Sequence, residues 1–258
     1  MLIVGGAAMS IYAISDIHGC FDAFMEALEL VRFGADDELY ILGDLVDRGP
    51  KIGACIEWLV AHDANAKDSN VHFILGNHEE MADWSFIAPW SDFHFDEVFK
   101  HDWCRNGGTK TIEQMRKLEP KTVNAFQRIV ARAPKALGVD VGDEFVFMSH
   151  AGIRPAEPES ERGEWLIQAD QDLLWIGVGW YRSSAQAPFH VVSGHTPTIA
   201  LGKLMPDYLC PDDVRAEGQQ ARMMHWGCRH GIDCGCVFGG NLGILRLDDW
   251  QAFYVDHQ

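Results

Sequence analysis

Three apolar runs near the N-terminus each end in a small residue and then in acidic, amide or imidazole side chains. The runs are IYAI, ELYIL and VHFIL, and they are followed by Asp16 and His18, by Asp44, and by Asn77 and His78. After the first two runs, apolar residues recur at the spacing of an amphipathic helix. This repetition of strand, polar turn and helix predicts an α/β sheet with its polar side chains at one edge.

Two strand-like segments later in the chain also run into histidine and glycine. EFVFMSHAG ends near His150, and HVVSGHTP ends near His195. Five predicted strands therefore end in polar signatures. We expect an α/β sandwich in which two mixed β-sheets face each other and helices cover the outside. The other segments predict mostly helix for residues 80–132, irregular structure for residues 206–230, and a hairpin for the C-terminal GILRLDDWQAFYVDH.

Composition restricts the partners and the location of the protein. The chain has 258 residues, of which 47% are hydrophobic, and a net charge of −17. This charge argues against nucleic acid or a membrane as partner. No apolar run reaches the length of a membrane span, and seven cysteines without secretory features predict reduced thiols and a cytoplasmic protein. We expect residues 10–258 to form one catalytic domain, with residues 1–9 as an N-terminal extension.

The five strand ends supply oxygen and imidazole groups that could bind metal: Asp16, His18, Asp44, Asn77, His150 and His195. This mixture of ligands suits manganese, iron or zinc better than calcium or magnesium. A carboxylate shared by two ions produces the two-metal arrangement that phosphoester hydrolases use. We therefore expect two divalent metal ions, with manganese preferred and iron or zinc as alternatives.

Five segments, in order, resemble the motifs of the PPP-type serine/threonine phosphatases, particularly their bacterial, lambda-phosphatase-like branch. They are SDIHG, GDLVDRG, GNHE, HAGIRP and SGHTP, and the resemblance extends from about Ser10 to Leu247. It implies the calcineurin-like metallophosphoesterase sandwich, with layers in the order α/β/β/α. It also implies that Asp16, His18 and Asp44 form a first metal site, that Asp44 bridges to a second, and that Asn77, His150 and His195 complete the second.

The same resemblance implies roles for three residues that do not bind metal. His78 matches the general acid that protonates the leaving alkoxide, Asp47 matches the carboxylate that orients it, and Arg48 matches an arginine that holds phosphate oxygens. These roles agree with elementary chemistry. An alkoxide leaves poorly without a proton, and a nearby carboxylate keeps an imidazole charged and oriented.

A second phosphate-binding arginine is harder to assign. Many bacterial relatives read Trp-Ile-Arg where this chain has Gly177 in place of the arginine. A phosphate site normally uses a further guanidinium for bidentate contact. Arg182 is the only arginine between Trp175 and His195, so we nominate it, with a solvated surface residue as the alternative. Arg154 is a further candidate.

Two other segments have a structural and a functional interpretation. CRHGIDCGC places Cys228, Cys234 and Cys236 near His230, and Cys210 lies upstream, but the spacing is not that of a zinc ribbon. Buried, reduced cysteines are therefore favoured over a zinc site. The aromatic segment from Trp84 to Phe99 favours packing in the core or over a cleft. Alternatively, aromatic side chains line a substrate groove, the candidates being Trp84, Trp90, Phe93 and Trp103.

The function we expect is that of a metal-dependent serine/threonine protein phosphatase, acting on a phosphoprotein or a small phosphoester. The alternative enzyme is a symmetrical diadenosine tetraphosphatase, which has the same metal core. GNHE and the low basicity near the site favour the phosphatase, because enzymes of the second type tend to read Gly-Asn-His-Asp. A third interpretation, a binding module on a decayed fold, is disfavoured by the intact set of polar residues. The sequence leaves the oligomeric state open.

Overall fold

The computed structural model describes residues 9–85, 97–157, 160–204 and 221–256. The predicted N-terminal extension falls almost entirely outside these residues. Within them, no helix is long and apolar enough to cross a membrane.

The first sheet contains the strands that were predicted from the N-terminal repetition. Its strand order is β10-β9-β1-β2-β3. Strands β1, β2 and β3 are parallel, and β9 pairs antiparallel with both β1 and β10. Every residue of β1 is buried, as expected of a strand covered on both faces. The bounds are Ile11–Ile14 for β1, Glu38–Leu42 for β2, Val71–Ile74 for β3, Asn241–Arg246 for β9 and Gln251–Asp256 for β10.

The second sheet is built from the remaining strands, in the order β4-β5-β6-β8-β7. Strands β5, β6 and β8 run parallel, whereas β4 and β7 pair antiparallel at the two edges. Both sheets are therefore mixed. The bounds are Ala136–Val141 for β4, Glu144–Ser149 for β5, His190–Ser193 for β6, Met224–Trp226 for β7 and Arg229–Gly231 for β8.

Helices connect the parallel strands and occupy the predicted helical region. In the N-terminal half they are α1 Phe21–Leu30, α2 Ile52–Ala61, α3 Asn77–Ser85, α4 Glu97–Trp103, α5 Thr109–Met115 and α6 Pro120–Arg132. A π-helical turn, Cys104–Gly108, joins α4 to α5. In the C-terminal half they are α7 Arg162–Trp165, α8 Asp170–Trp175, α9 Val178–Arg182 and α10 Thr198–Leu204.

Three hydrophobic clusters hold these layers together. One lies between the sheets and contains Ala13 and Leu245 from the first sheet with Met148 and Val192 from the second. A second cluster packs the first sheet against α1, α2, α5 and α6, and a third packs the second sheet against α7, α8, α9 and α10. The predicted sandwich of two mixed sheets flanked by helices is confirmed.

One prediction about the elements was partly wrong. Residues 206–230 were expected to be irregular, but β7 and most of β8 lie within this range. These strands contain Arg229 and His230, which are unusual in a buried strand, yet both are buried. Arg229 Nε donates to the Trp180 carbonyl at 3.2 Å, and its guanidinium lies 4.1 Å from the Trp180 ring. Such partners exist only in the folded molecule, so the local pattern did not reveal the strands.

Candidate active site

The polar side chains that follow five strands come together at one edge of the sandwich. They form two groups in which the potential ligand atoms lie within 4.8 Å of one another. The first group consists of His18, Asp44 and His78, and the second of Asp44, His150 and His195. Asp44 belongs to both groups, which is the property expected of a bridging carboxylate.

The two carboxylate oxygens of Asp44 face different groups. Oδ2 lies 3.4 Å from Nε2 of His18 and 3.8 Å from Nε2 of His78. Oδ1 lies 3.4 Å from Nε2 of His150 and also accepts the backbone N–H of His78 at 3.1 Å. Burial raises the pKa of this carboxyl well above its ordinary value, and the neighbouring Asp16 and Glu79 raise it further. Nearby positive charge would therefore stabilise its ionised form.

The ring orientations show that lone pairs converge in both groups. Nδ1 of His150 donates to the Leu42 carbonyl at 2.8 Å, so its Nε2 carries a lone pair. That atom lies 2.7 Å from Oδ1 of Asn77, which is itself an acceptor, and Oδ1 lies 3.0 Å from Nδ1 of His195. Nδ1 of His18 donates to the Val46 carbonyl at 2.7 Å, which leaves its Nε2 as an acceptor too. Acceptors aimed at a common point suit a cation, so these residues fit divalent metal ions.

The backbone at the site adopts conformations that side chains normally avoid. Ten non-glycine residues in the described part of the chain have positive φ. Six of them are candidate site residues: Asp16, His18, Asp44, Asp47, Arg48 and His195. Such conformations cost about 1–3 kcal/mol each and cluster at functional sites. Strained residues are thus clustered at this edge. Because their conformations lower stability, the clustering indicates that their geometry serves a function.

Glu79 holds the loop after β2 in this strained conformation. Its fully buried carboxylate accepts the backbone N–H groups of Asp44 at 2.8 Å, Leu45 at 2.9 Å and Val46 at 3.1 Å. Gly76 lies against the same loop, and a Cβ added there would lie 2.7 Å from Oε2 of Glu79. In the sequence Glu79 is recognisable only as part of the GNHE motif, and no local pattern reveals this positioning role.

Arg48 extends its guanidinium between two imidazoles. It donates to Nε2 of His18 and, at 2.7 Å, to Nε2 of His78. His78 therefore accepts at Nε2 and donates from Nδ1 to Asp47, with an N···O distance of 2.5 Å. Burial, reinforced by the Arg48 charge, lowers the pKa of His78 to about 2.

Asp47 is enclosed by hydrogen-bond donors. The indole Nε1 of Trp103 donates to its two oxygens at 2.9 and 3.1 Å, and the Thr111 hydroxyl donates to Oδ1. Burial nevertheless raises the pKa of Asp47 to about 7. The side chain has no exposed surface, so it is positioned to act through His78 and not on a substrate directly.

Asp16 connects the first strand to the last motif. Its Oδ2 accepts the backbone N–H of His195 at 2.9 Å, and burial raises the pKa of its carboxyl. Asp16 belongs to neither of the two close groups among the described residues, although the nearby His150 lowers the pKa of its carboxyl and partly opposes the effect of burial. The structure thus brings together nine of the ten residues nominated as ligands, acid, orienting group or phosphate anchor. Arg182 does not share this edge, whereas the other nine do: Asp16, His18, Asp44, Asp47, Arg48, Asn77, His78, His150 and His195.

Neither candidate for a second phosphate-binding arginine contacts a site residue within the described part of the chain. Arg182 is exposed at the end of α9, and no hydrogen bond or ion pair joins it to a site residue within the described ranges. Arg154 forms a forked ion pair with Asp172, at 2.8 and 3.1 Å. Gly177 has φ +46°, and a Cβ there would lie 2.7 Å from the Thr196 hydroxyl and 3.1 Å from the His195 ring. The backbone here is therefore not suited to an arginine.

The cysteines and the aromatic segment can be assessed only in part. Cys228, Cys234 and Cys236 are buried in three different hydrophobic clusters, so they do not form a common zinc site. Cys210, Trp90 and Phe93 lie outside the described residues. Trp103 is buried against Asp47, whereas Trp84 is half exposed.

The fold and the polar edge define a metallophosphoesterase, and the comparisons with known proteins identify the family. Residues 9–240 match the model of the calcineurin-like phosphoesterase family, and the chain belongs to it. The chain is thus a hydrolase of the metallophosphoesterase type, a class that implies divalent metal ions. It is similar, with 18% identity and a TM-score of 0.56, to the crystal structure of a candidate diadenosine tetraphosphatase, covering 98% of this chain and 96% of that one.

Curated relatives provide a finer comparison. The chain is 42% identical to a symmetrical bis(5'-nucleosyl)-tetraphosphatase of Chromobacterium violaceum, covering 97% of this chain and 96% of the relative. It is 27% identical to the protein of that name from Vibrio campbellii, covering 95% and 98%. Serine/threonine-protein phosphatase 1 of Salmonella typhimurium is 26% identical, covering 92% and 91%.

These relatives correct the expected function. The prediction of a serine/threonine protein phosphatase was wrong, because similarity to the tetraphosphatases is higher and covers nearly the whole of both chains. The error lay in using GNHE to infer the substrate. Glu79 is buried and accepts backbone N–H groups of the loop after β2, so its identity reflects the structure of that loop and does not distinguish one substrate from another.

Proposed function

We propose that this protein is a symmetrical dinucleoside tetraphosphatase that hydrolyses diadenosine tetraphosphate to two molecules of ADP. In this reaction a water oxygen bonds to one of the two central phosphorus atoms. The bond from that phosphorus to the central bridging oxygen breaks, and the bridging oxygen leaves as part of the second ADP. The observation that carries the proposal is the 42% identity, over 97% of this chain, to a relative of that name.

We infer that two divalent ions bind at the strand ends. Asp16, His18 and Asp44 would hold one ion, and Asp44, Asn77, His150 and His195 the other. Manganese is our first choice for both, because the ligands mix oxygen and imidazole. When bound, such ions lower the pKa of coordinated water and stabilise negative charge on phosphoryl oxygens.

The chain's own residues then orient the substrate and move protons. Arg48 supplies a guanidinium that can hold two phosphate oxygens, after it releases His18 and His78. Once Nε2 of His78 is free of Arg48, it can carry a proton toward the leaving oxygen, while Asp47 accepts from Nδ1 and fixes the ring. Trp103 and Thr111 keep Asp47 in place.

We further propose that residues 10–258 form a single catalytic domain.

Side-by-side hydrolysis of diadenosine tetraphosphate and a phosphoserine peptide by the manganese-loaded protein tests the function. We expect ADP as the only nucleotide product and a much higher kcat/KM for the dinucleotide. ATP with AMP as products, or a preference for the peptide, would contradict the proposal. Asp44→Asn serves as the control for contaminating activity. It should lose activity by several orders of magnitude and lose bound metal, because Asp44 faces both groups of ligands.

A further inference from the structure

A pocket of about 490 Å³ opens beside the candidate metal centre. Its walls combine aromatic and polar side chains: Met81, Trp84, Asp102, Arg105, Asn106 and Trp175. None of these residues was assigned a role by the motifs. Of the four aromatic residues that the sequence suggests for a substrate groove, Trp84 lines this pocket.

Three parts of the pocket wall lie close to residues of the candidate active site. The Trp175 ring lies 6.2 Å from the His195 ring, centroid to centroid. Met81 lies one helical turn after His78 on α3, which begins at Asn77. Gly107, next to Asn106, approaches so closely that a Cβ there would lie 2.8 Å from Cγ of Arg48. A molecule whose phosphates bind Arg48 and the ions can therefore reach the pocket with its other end.

We propose that this pocket binds one nucleobase of the dinucleoside tetraphosphate, an inference that rests on the proposed function. Tryptophan faces bind bases by stacking, which is worth about 1–3 kcal/mol per base. The Trp175 ring is held in a fixed orientation, because its Nε1 donates to Oε2 of Glu80 at 2.9 Å. Trp84 lines the pocket and has half of its surface exposed.

The polar wall of the pocket complements a purine nucleotide. Asp102 offers a carboxylate acceptor, which suits an exocyclic amino group such as that of adenine. Asn106 donates from Nδ2 to the Asp102 carbonyl at 2.9 Å, which orients its amide within the wall. Arg105 adds a positive charge beside a site that must accept a polyanion. Its guanidinium therefore favours the anionic end of a nucleotide.

The test compares the binding of ADP with that of pyrophosphate. Pyrophosphate lacks the nucleoside, so the difference in affinity reports what the nucleoside contributes. Dissociation constants for both are measured on the manganese-loaded wild type and on Trp84→Ala, Trp84→Phe and Arg105→Ala. We expect wild type to bind ADP roughly tenfold or more tightly than pyrophosphate, in line with stacking energies. Trp84→Ala should reduce this ratio strongly, and Trp84→Phe should retain most of it. Arg105→Ala should weaken the binding of ADP.

Kinetics provide the second measurement and separate the two ways of failing. In Trp84→Ala, kcat/KM for diadenosine tetraphosphate should fall about tenfold more than kcat/KM for p-nitrophenyl phosphate, which has no base. The matched controls are Ile167→Ala, at a residue that is 80% exposed, and Arg132→Ala, on α6. Neither residue lines the pocket, so both variants should leave this ratio unchanged. If wild type forms ADP but the Trp84 variants keep the wild-type ratios, the pocket proposal is wrong. If wild type does not cleave the dinucleotide, the proposed function itself fails.

Discussion

At the scale of single residues, the site is defined by where lone pairs and protons lie. Hydrogen bonds to backbone carbonyls fix the rings of His18 and His150, so each presents Nε2 to the centre. His78 differs, because its Nδ1 faces Asp47. Nε2 of His78 lies near both Arg48 and Asp44. From this position His78 could either transfer a proton or bind a metal ion. Substitution distinguishes the two roles.

His78→Asn should keep both metal ions and lower kcat by an amount that depends on the leaving group. On an alkyl phosphate the loss should be roughly 10²–10⁴-fold, the usual contribution of general acid catalysis. On diadenosine tetraphosphate the loss should be much smaller. The leaving oxygen there belongs to a phosphate, whose pKa is near 6, and needs little protonation. Metal content and both rate constants are measured together, with His150→Asn as the comparison.

The comparison variant should behave differently, because His150 points a lone pair into the second group of ligands. It should lose metal and slow both substrates alike. Loss of metal from His78→Asn, or equal slowing of its two substrates, would reassign His78 as a ligand or phosphate anchor.

At the scale of elements, the site depends on how α3 is joined to the loop after β2. Glu79 on the first turn of α3 accepts three consecutive N–H groups from that loop, which carries Asp44, Asp47 and Arg48. Helix and loop are therefore one unit, and the strained φ angles of the loop persist because these bonds oppose relaxation.

Glu79→Gln should destabilise the protein and impair metal binding together. An amide has one acceptor oxygen and would direct an NH₂ group toward backbone donors, which leaves buried N–H groups unsatisfied. We expect the free energy of unfolding to fall by roughly 2–4 kcal/mol, and the affinity for manganese to fall with it. Denaturant unfolding and metal titration measure the two effects. Glu29→Gln on α1, at an exposed glutamate, should change neither, and a stable Glu79→Gln with normal metal affinity would refute the positioning role.

At the scale of the whole molecule, the two sheets carry different polar chemistry. A second histidine cluster lies on the second sheet, away from the motifs. Nδ1 of His190 lies 2.8 Å from Nε2 of His230, whose Nδ1 lies 2.6 Å from Nδ1 of His225. His230 also stacks on Trp250, and Glu144 lies 3.5 Å from the other nitrogen of His190. Neutral rings satisfy both contacts with one proton in each, so none of the three needs a positive charge, which burial disfavours.

Acid should therefore destabilise the fold through His230. Burial, together with His225 and His190, lowers its pKa from 6.5 to about 3. The unfolded chain binds the proton first as the pH falls below 6.5, so the contribution of His230 is complete above that pH and is lost toward about 3. From pH 7 to pH 5 this accounts for roughly 2 kcal/mol of the free energy of unfolding.

His230→Phe should remove this part of the pH dependence while keeping the stacking on Trp250. Denaturant unfolding of both proteins at the two pH values, with the same divalent metal present, isolates the difference. His101→Ala, at an exposed histidine on α4, should retain the wild-type dependence. Equal losses of stability in wild type and His230→Phe would show that His230 is not the source.

The sequence by itself determined the layers of the fold and most of the site. Strands that end in Gly43-Asp44 or Gly76-Asn77 must place these side chains at one edge, because the carboxyl ends of parallel strands meet there. The same local pattern predicted His150 and His195. Periodicity and strand-end chemistry are properties of short segments, so they can be read without the folded molecule.

Tertiary structure decided the rest, because the remaining features depend on contacts between distant segments. Glu79 acquires its role from N–H groups about 33–35 positions earlier, and Arg229 becomes a strand residue only when Trp180 covers it. The motifs share their chemistry across enzymes with different substrates, so they led to the wrong substrate class. The pocket that we propose for the nucleobase is lined by Trp84, Arg105 and Trp175, which come from three helical segments that no sequence pattern connects.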